Sequence, residues 1–352
     1  MLGARRRRVA VWAVVAGVAV LGALAGALFV GGDRRCRGVE LRGGAAADVE
    51  VGQRPPIGGG GLGDLRRAFS DDQVAYCDDF ADPYVLVAGG EHFAYSTNSD
   101  GLLVPLLRVG NLFREGRRHD ALAALPGWAA QNATRVWAPG VLARGEGFVL
   151  YYTVGARDGR QCISLAAAEG PGGPFVDRST GPFVCPEAGA IDPSPFVAAD
   201  GQAFLLWKDQ SEDAVVASRV SDDGRGLVGD TRVLLRADQA WEAGVVEGPS
   251  MVAERGQYHL FYSANDWRTA DYAVGYAVCE GPLGPCDKPS AGPWLASSNG
   301  AQGPGGPELF RDAAGLWMAV HAWVGGRVGY PDGARNLFVL RMVFTEAGPV
   351  GA

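Results

Sequence analysis

Residues 246–267, V-E-G-P-S-M-V-A-E-R-G-Q-Y-H-L-F-Y-S-A-N-D-W, decide the fold of this chain. Glu247 and a Gly-Pro turn stand just ahead of a short apolar run, and a Gly-containing turn then leads into an alternating aromatic strand. A glutamate is costly to bury beside such strands unless it has partners or a chemical task. The stretch therefore indicates β-structure with a candidate functional carboxylate at its start.

The same turn-and-strand template occurs at four other places. The copies recur at a period of roughly 50 to 60 residues, which is typical of propeller blades and not of helical repeats. They read D-P-Y-V-L-V-A-G-G-E-H-F-A-Y-S from Asp82, A-P-G-V-L-A-R-G-E-G-F-V-L-Y-Y from Ala138, D-P-S-P-F-V-A-A-D-G-Q-A-F-L-L-W from Asp192 and G-P-E-L-F-R-D-A-A-G-L-W-M-A-V-H from Gly306.

These repeats predict an all-β chain that forms one five-bladed β-propeller over residues 75–352. Short apolar or alternating runs are separated by Gly, Pro, Asp and Asn turns, and no long amphipathic helix follows residue 74. Radial packing lets each sheet bury both faces and keep its edges short. Ahead of the propeller we expect a signal or anchor segment over residues 1–32 and a linker or leader over residues 33–74.

The N-terminus is typical of an export signal. Residues 5–8 are four arginines, and residues 9–30 form an apolar run that is long enough to span a bilayer. A cleaved signal peptide and an uncleaved membrane anchor both fit this pattern. In either case the body of the protein is exported, so we expect it outside the cell or on the outer face of the cell membrane.

The charge of the body argues against nucleic acid as a partner. The chain has a net charge of −7, and residues 1–35 hold six arginines and one aspartate, which leaves 26 basic and 38 acidic side chains, or −12, elsewhere. Phosphate backbones require a cationic surface, whereas a neutral sugar does not.

Six cysteines in an exported chain predict disulfides. Cys279 and Cys286 bracket a tight turn, and Cys162 and Cys185 flank a Gly/Pro loop within one repeat. Cys36 with Cys77 follows only by elimination. No Cys-x-x-Cys or Cys/His spacing supports a metal site, so none is predicted from the cysteines.

Three of the five repeats carry an acid at the turn, namely Asp82, Asp192 and Glu247. In a propeller, equivalent positions of different blades meet at one mouth of the central axis, so these carboxylates should converge. Glycosidic cleavage needs one carboxyl group to protonate the leaving oxygen and another to activate water or attack the sugar. A third carboxylate can raise the pKa of the acid by like-charge repulsion.

The motifs resemble those of glycoside hydrolase family 43, whose members are five-bladed propellers that hydrolyse arabinofuranosyl and xylosyl linkages with inversion. The resemblance covers about residues 77–345. It implies that Asp82, in F-A-D-P-Y-V, is the general base; that Asp192, in A-I-D-P-S-P-F-V, modulates the pKa of the acid; and that Glu247, in V-E-G-P-S-M, is the general acid. W-A-P at residues 137–139 and C-x-x-P-x-G-P-C at residues 279–286 are similar to the family as well.

Two departures from the family pattern stand out. Gly140 occupies a position where the second-blade motif usually continues with an acid, and residues 305–308 read G-G-P-E where a Gly-His-x-Ser is common. His321 resembles a fifth-blade histidine that lies near the axis in relatives. The resemblance implies no required cofactor, although calcium or another ion in the central channel could be held through His321.

Five residues are candidates for contact with a sugar: Trp137, Trp207, Trp267, His321 and Arg335. The tryptophans could stack on a sugar face or pack within blades, His321 could be a core residue, and Arg335 could pair with a surface acid. The predicted partner is an arabinose- or xylose-containing glycan. A non-catalytic carbohydrate-binding propeller and a retaining fructosyl hydrolase of the same fold remain as alternatives.

Overall fold

The computed structural model describes residue 69 and residues 73–109, 117–131 and 134–351. Within these residues the strands form five antiparallel sheets, and the first strands of successive sheets contact one another in a closed ring. The prediction of an all-β, five-bladed propeller is confirmed. Residues 1–32 and most of residues 33–74, predicted as a signal or anchor and a linker, lie outside the described residues.

The strands follow the chain from blade to blade. β1 (Val74–Tyr76) comes first and joins the last blade. Blade one contains β2 (Tyr84–Ala88), β3 (Glu91–Tyr95), β4 (Pro105–Val109) and β5 (His119–Asp120). Blade two contains β6 (Val136–Arg144), β7 (Gly147–Gly155) and β8 (Gln161–Ala168). Blade three contains β9 (Ala190–Val197), β10 (Ala203–Asp209), β11 (Ala214–Val220) and β12 (Leu227–Arg236).

A 3-10 turn at Ala240–Glu242 leads into blade four. That blade contains β13 (Val246–Glu254), β14 (Gln257–Ala264), β15 (Ala273–Cys279) and β16 (Cys286–Asp287). Blade five contains β17 (Gln302–Asp312), β18 (Gly315–Trp323), β19 (Arg335–Thr345) and β20 (Gly348–Gly351), and β1 completes it.

Strand β19 is the edge at which the ring closes. β1 pairs with it at Leu337 and Phe338, and β20 pairs with it further along, from Met342 onward. Phe69, ahead of β1, is also buried and packs its ring 4.8 Å from that of Phe338. Segments from both sides of the propeller domain therefore complete one blade.

The hydrophobic core is divided among the blade interfaces. Each of the five apolar clusters in the described part of the chain lies between two neighbouring blades. Tyr95 of blade one, for example, shares a cluster with Leu150 and Tyr152 of blade two. Burial of apolar surface therefore holds the sheets to one another as well as ordering each sheet.

One backbone feature recurs at the start of every blade. The residue just before the repeated proline has a positive φ in all five copies: Asp82 (49°), Ala138 (41°), Asp192 (59°), Gly248 (52°) and Gly306 (57°). Left-handed backbone is costly for most L-residues, and aspartate tolerates it better than most. Two of the three carboxylates therefore stand where the fold itself favours Asp or Gly.

A hydrogen bond from the neighbouring blade fixes this turn in four of the five copies. A side chain near the end of the second strand of the previous blade accepts the N–H of the left-handed residue. These acceptors are Thr97 for Ala138, Thr153 for Asp192, Ser263 for Gly306 and His321 for Asp82. Blade three has Lys208 at this place, and an ammonium group cannot accept. Gly248 N–H instead donates to Oδ2 of Asp192 across 2.9 Å.

Two of the three predicted disulfides are confirmed, namely Cys162–Cys185 and Cys279–Cys286. The third, Cys36–Cys77, includes a residue outside the described part of the chain. Among the described residues, no helix has the length and apolar character needed to cross a membrane.

Candidate active site

A cavity of about 710 Å³ opens at the end of the propeller axis where the first strands of the blades begin. The structure brings Asp82, Asp192 and Glu247 together in its wall, from blades one, three and four. Their burial is possible because each has hydrogen-bond partners. Among the other lining residues are Trp137, Trp267, Tyr272, Tyr330 and Arg335.

Asp82 is held by groups that favour its ionised form. Thr97 donates its hydroxyl to Oδ2 across 2.5 Å, and Nη1 of Arg335 lies 3.5 Å from Oδ1. Burial acts to raise the pKa of Asp82, but the charge of Arg335 and the Thr97 hydrogen bond bring it below its usual value. A carboxylate in this state can accept a proton at neutral pH.

The pKa values of Glu247 and Asp192 are shifted in the opposite direction from that of Asp82. Burial raises the pKa of Glu247, and the negative charge of Asp82 raises it further, although a hydrogen bond from Tyr272 opposes the rise. Burial and the charge of Glu247 raise the pKa of Asp192 well above its usual value. The cavity therefore places one carboxyl group that loses its proton more readily than usual beside two that hold theirs more readily than usual, as acid/base catalysis requires.

An aromatic and cationic wall forms one side of the cavity. Arg335 is 6% exposed, and its guanidinium carbon lies 4.9 Å from the ring centre of Trp267 and 5.6 Å from that of Tyr330. Trp323 stands behind Trp267, with ring centres 6.4 Å apart and planes 19° from parallel. Trp267 and Tyr330 line the cavity, so they can stack against a sugar while Arg335 donates hydrogen bonds.

Of the five predicted sugar-contact residues, the structure places Trp137, Trp267 and Arg335 in the cavity wall. Trp207 lies elsewhere: it is 2% exposed and packs in the core between blades two and three. Both faces of β10 are covered, so this ring is core and its predicted sugar contact is not retained. His321 is fully buried behind Asp82, whose N–H it accepts at Nδ1, and acts on the site only through other residues.

The neighbourhood of His321 does not fit a directly ligated calcium ion. Its Nδ1 accepts the Asp82 N–H, so the neutral ring carries its proton on Nε2. Nε2 is buried without a protein partner and would donate to an acceptor such as water. In the described ranges, no three or more His, Cys, Asp or Glu side chains form a group suited to a metal ion.

Two residues of the site carry no signal in the sequence analysis. Thr97 bridges the base and blade two, because its Oγ1 donates to Asp82 and accepts Ala138 N–H. Tyr272 donates to Oε1 of Glu247 across 2.8 Å. Gly140, which departs from the family pattern, has a steric reason: a Cβ there would lie 2.5 Å from Pro193 O.

Comparison with solved structures supports the same fold. A thermostable family-43 glycoside hydrolase is 28% identical, with a TM-score of 0.69 over 78% of this chain and 92% of that one. An endo-1,4-β-xylanase from Bacteroides thetaiotaomicron VPI-5482 is 26% identical, with a TM-score of 0.67 over 80% and 96%. An exo-1,5-α-L-arabinanase from a bovine ruminal metagenomic library, at 18% identity and a TM-score of 0.65 over 78% and 97%, shares the fold.

Sequence comparison covers most of the propeller. A putative β-xylosidase of Xylanibacter ruminicola is 26% identical over 137 residues, which is 38% of this chain and about a quarter (24%) of that protein's length. The sequence profile of glycosyl hydrolases family 43 matches residues 77–350, from the start of blade one into β20. With that match spanning all five blades, the chain belongs to glycosyl hydrolases family 43.

Proposed function

We propose that this protein is an exported, inverting glycoside hydrolase that cleaves arabinofuranosyl or xylosyl linkages. The observation that carries the proposal is the opposite bias of two carboxyl groups in one cavity. Arg335 and Thr97 favour ionised Asp82, whereas burial and Asp82 favour protonated Glu247. A glycosidase needs a base and an acid in these two states at the same pH.

In the proposed reaction, Asp82 takes a proton from a water molecule whose oxygen attacks the anomeric carbon. The bond from that carbon to the leaving oxygen breaks, and Glu247 gives its proton to this oxygen. Asp192 shares the buried cavity with Glu247, so each of these two carboxyl groups disfavours the ionised form of the other, and Asp192 also fixes the adjacent backbone by accepting Gly248 N–H. The steps need only water and protons, so we propose no cofactor.

The substrate class rests on the wall of the cavity and on the relatives. Trp137, Trp267 and Tyr330 offer aromatic surface to a sugar ring, and Arg335 is the cation beside them. The similar proteins include a putative β-xylosidase, an endo-1,4-β-xylanase and an exo-1,5-α-L-arabinanase. We therefore propose a neutral xylose- or arabinose-containing glycan as the substrate.

Export is supported by the arginines and apolar run at the N-terminus and by the disulfides Cys162–Cys185 and Cys279–Cys286, which persist in oxidising compartments. We propose a location outside the cell or on the outer face of its membrane, with the N-terminal segment as a signal or an anchor. Cell fractionation with an antibody to the propeller tests this. Recovery from the cytoplasm with free thiols would contradict it.

The deciding experiment screens the purified protein on aryl α-L-arabinofuranoside, aryl β-D-xyloside, debranched arabinan, xylan and sucrose, and follows the first product anomer by NMR. Inversion supports the proposal, whereas retention, or cleavage of sucrose alone, supports a retaining fructosyl hydrolase. Cleavage of none supports a carbohydrate-binding propeller.

The carboxylate roles are tested with Asp82→Asn and Glu247→Gln. Asp82→Asn should lose on the order of 100-fold or more of activity on every substrate, because water attack is always needed. Glu247→Gln should lose less on aryl glycosides with activated leaving groups, which need little protonation. Asp200→Asn, in an exposed turn far along blade three, is the matched control. Near wild-type turnover in both site variants would refute the assignment.

A further inference from the structure

Tyr272 contacts the proposed general acid, Glu247, although it belongs to none of the sequence motifs described above. It lies just ahead of β15 in blade four, is 3% exposed, and lines the cavity. Its hydroxyl donates to Oε1 of Glu247 across 2.8 Å. Burial and the charge of Glu247 raise the pKa of Tyr272 well above its usual value, so the phenol keeps this proton throughout the working range.

The ring of Tyr272 packs against two residues of blade five, His321 and Gly305. It stacks on the imidazole of His321, with ring centres 6.1 Å apart and planes 11° from parallel. A Cβ on Gly305 would lie 2.0 Å from Cε1 of Tyr272, so only glycine lets the ring approach this closely. Because His321 also accepts the N–H of Asp82, one aromatic pair connects the base to the acid.

This contact decides which oxygen of Glu247 carries the catalytic proton. The carbonyl oxygen of a protonated carboxyl group accepts hydrogen bonds more strongly than its hydroxyl oxygen, so a phenol that donates to Oε1 favours the form with the carboxyl proton on Oε2. After that proton leaves, the same hydrogen bond stabilises the carboxylate that remains. We infer that Tyr272 is a positioning residue that directs the acidic proton of Glu247 to Oε2 and stabilises the ionised acid. The inference rests on the proposed function, which gives Glu247 the role of acid.

Several other groups also act on Glu247. The negative charge of Asp82 raises the pKa of Glu247, the positive charges of Lys208 on β10 and Arg335 on β19 lower it, and Asp192 is a further carboxyl group in the same cavity. Tyr272 is the group that donates a side-chain hydrogen bond to Glu247 in the described structure. A hydrogen bond to the charged form lowers a carboxyl pKa. Removing it should therefore raise the pKa of Glu247, while the charges stay in place.

The test compares Tyr272→Phe with Tyr262→Phe. Tyr262, on β14 of the same blade, is also buried and donates to a buried carboxylate, Glu242, across 2.7 Å, but neither residue lines the cavity. In Tyr272→Phe, the basic limb of the kcat/KM profile should move to higher pH. Its kcat should fall about 10-fold on alkyl glycosides and much less on activated aryl glycosides. Tyr262→Phe should lose comparable stability with an unmoved pH profile.

Gly305→Ala supplies a second variant that displaces the Tyr272 ring without removing its hydroxyl. It should reproduce the shift of the basic limb and the leaving-group dependence of Tyr272→Phe. An unmoved basic limb in Tyr272→Phe, or a change confined to KM, would overturn the inference.

A readout without turnover separates this inference from the proposed function. The Cδ resonance of Glu247 in ¹³C-glutamate-labelled protein, assigned with Glu247→Gln, should titrate at higher pH in Tyr272→Phe than in the wild type. The shift is expected even if no glycoside in the screen is cleaved, in which case only the proposed function fails. Identical titrations in the two proteins would overturn the inference whatever the activity.

Discussion

Asp82 donates its backbone N–H to Nδ1 of His321 across 3.0 Å, so the second strand of blade five holds the turn at which blade one begins. Burial, together with the positive charge of Arg335, lowers the pKa of His321 to about 3. The ring is therefore neutral and able to accept this hydrogen bond at any pH where the enzyme would work. The position of the proposed base therefore depends on a residue that lies 239 positions later in the sequence but in the adjacent blade.

Replacing His321 with phenylalanine should lower the activity on every substrate to a similar degree. The change leaves the Asp82 N–H without an acceptor, which costs about 1–3 kcal/mol of stability. It also allows the turn that carries the Asp82 carboxylate to move. Turnover should fall by a similar factor on activated and unactivated glycosides, since the acid is not the group that moves. His259→Phe is the control, because His259 is also buried but hydrogen-bonds to Tyr276 in blade four. Loss restricted to poor leaving groups would contradict this prediction.

Replacing Arg335 with methionine should move the acidic limb of the pH–rate profile to higher pH. Arg335 lowers the pKa of Asp82, and the base must be ionised to act. Without the cation, Asp82 takes up its proton at higher pH, so activity on the acidic side should drop by roughly tenfold or more. Arg341→Met, at an exposed site on the same strand, should leave the limb in place. The measurement is kcat/KM as a function of pH, and an unchanged acidic limb would count against the ion pair.

The stability of Glu308→Gln relative to the wild type should increase as pH rises. Burial raises the pKa of Glu308 well above its usual value, against a hydrogen bond from Ser250. Above the ordinary pKa of glutamate, the unfolded chain loses this proton and the folded chain keeps it, so stability falls with rising pH until the folded pKa is reached.

Glutamine has no proton to lose, so the variant should gain by up to about 1.4 kcal/mol per pH unit over that window. Urea unfolding of the two proteins at a series of pH values measures the difference. Glu346→Gln, at an exposed position, should show none. A difference between Glu308→Gln and wild type that does not change with pH would show that Glu308 is ionised in the folded protein.

Gly140→Ala should destabilise the propeller by about 1–3 kcal/mol. The added methyl group would lie 2.5 Å from Pro193 O and 2.5 Å from Cδ of Pro195, and neither a backbone carbonyl nor a proline ring can rotate away. Gly181→Ala is matched, since a Cβ there meets nothing within 4 Å. Equal unfolding midpoints for the two variants would show that blades two and three are free to separate at this point.

The parts of the fold that follow from periodicity could be predicted from the sequence. Five copies of one template set the number of blades and the level of each residue along the axis. The convergence of Asp82, Asp192 and Glu247 follows from these levels alone. The disulfides Cys162–Cys185 and Cys279–Cys286 could be predicted because each closes a loop or turn within a single repeat.

Contacts between blades could not be predicted in this way. Tyr272 reaches Glu247 because its ring fits against Gly305 and His321 of the next blade, a match of shapes that no motif records. In the sequence, Trp207 is equally consistent with sugar contact and with packing in a blade, because an aromatic strand residue has the same pattern whether its face of the blade is covered or open. β1 joins blade five through three residues, too few to carry a pattern.

The shared edge at β19 also has a mechanical consequence. β1 and β20 flank the same strand, so a force that pulls residue 74 away from residue 351 is borne first by the hydrogen bonds of that single edge. The other four blades bear no load until these hydrogen bonds have broken. Under tension the propeller should therefore rupture in one blade first, and stretching in an optical trap should show a small initial extension before the main unfolding event.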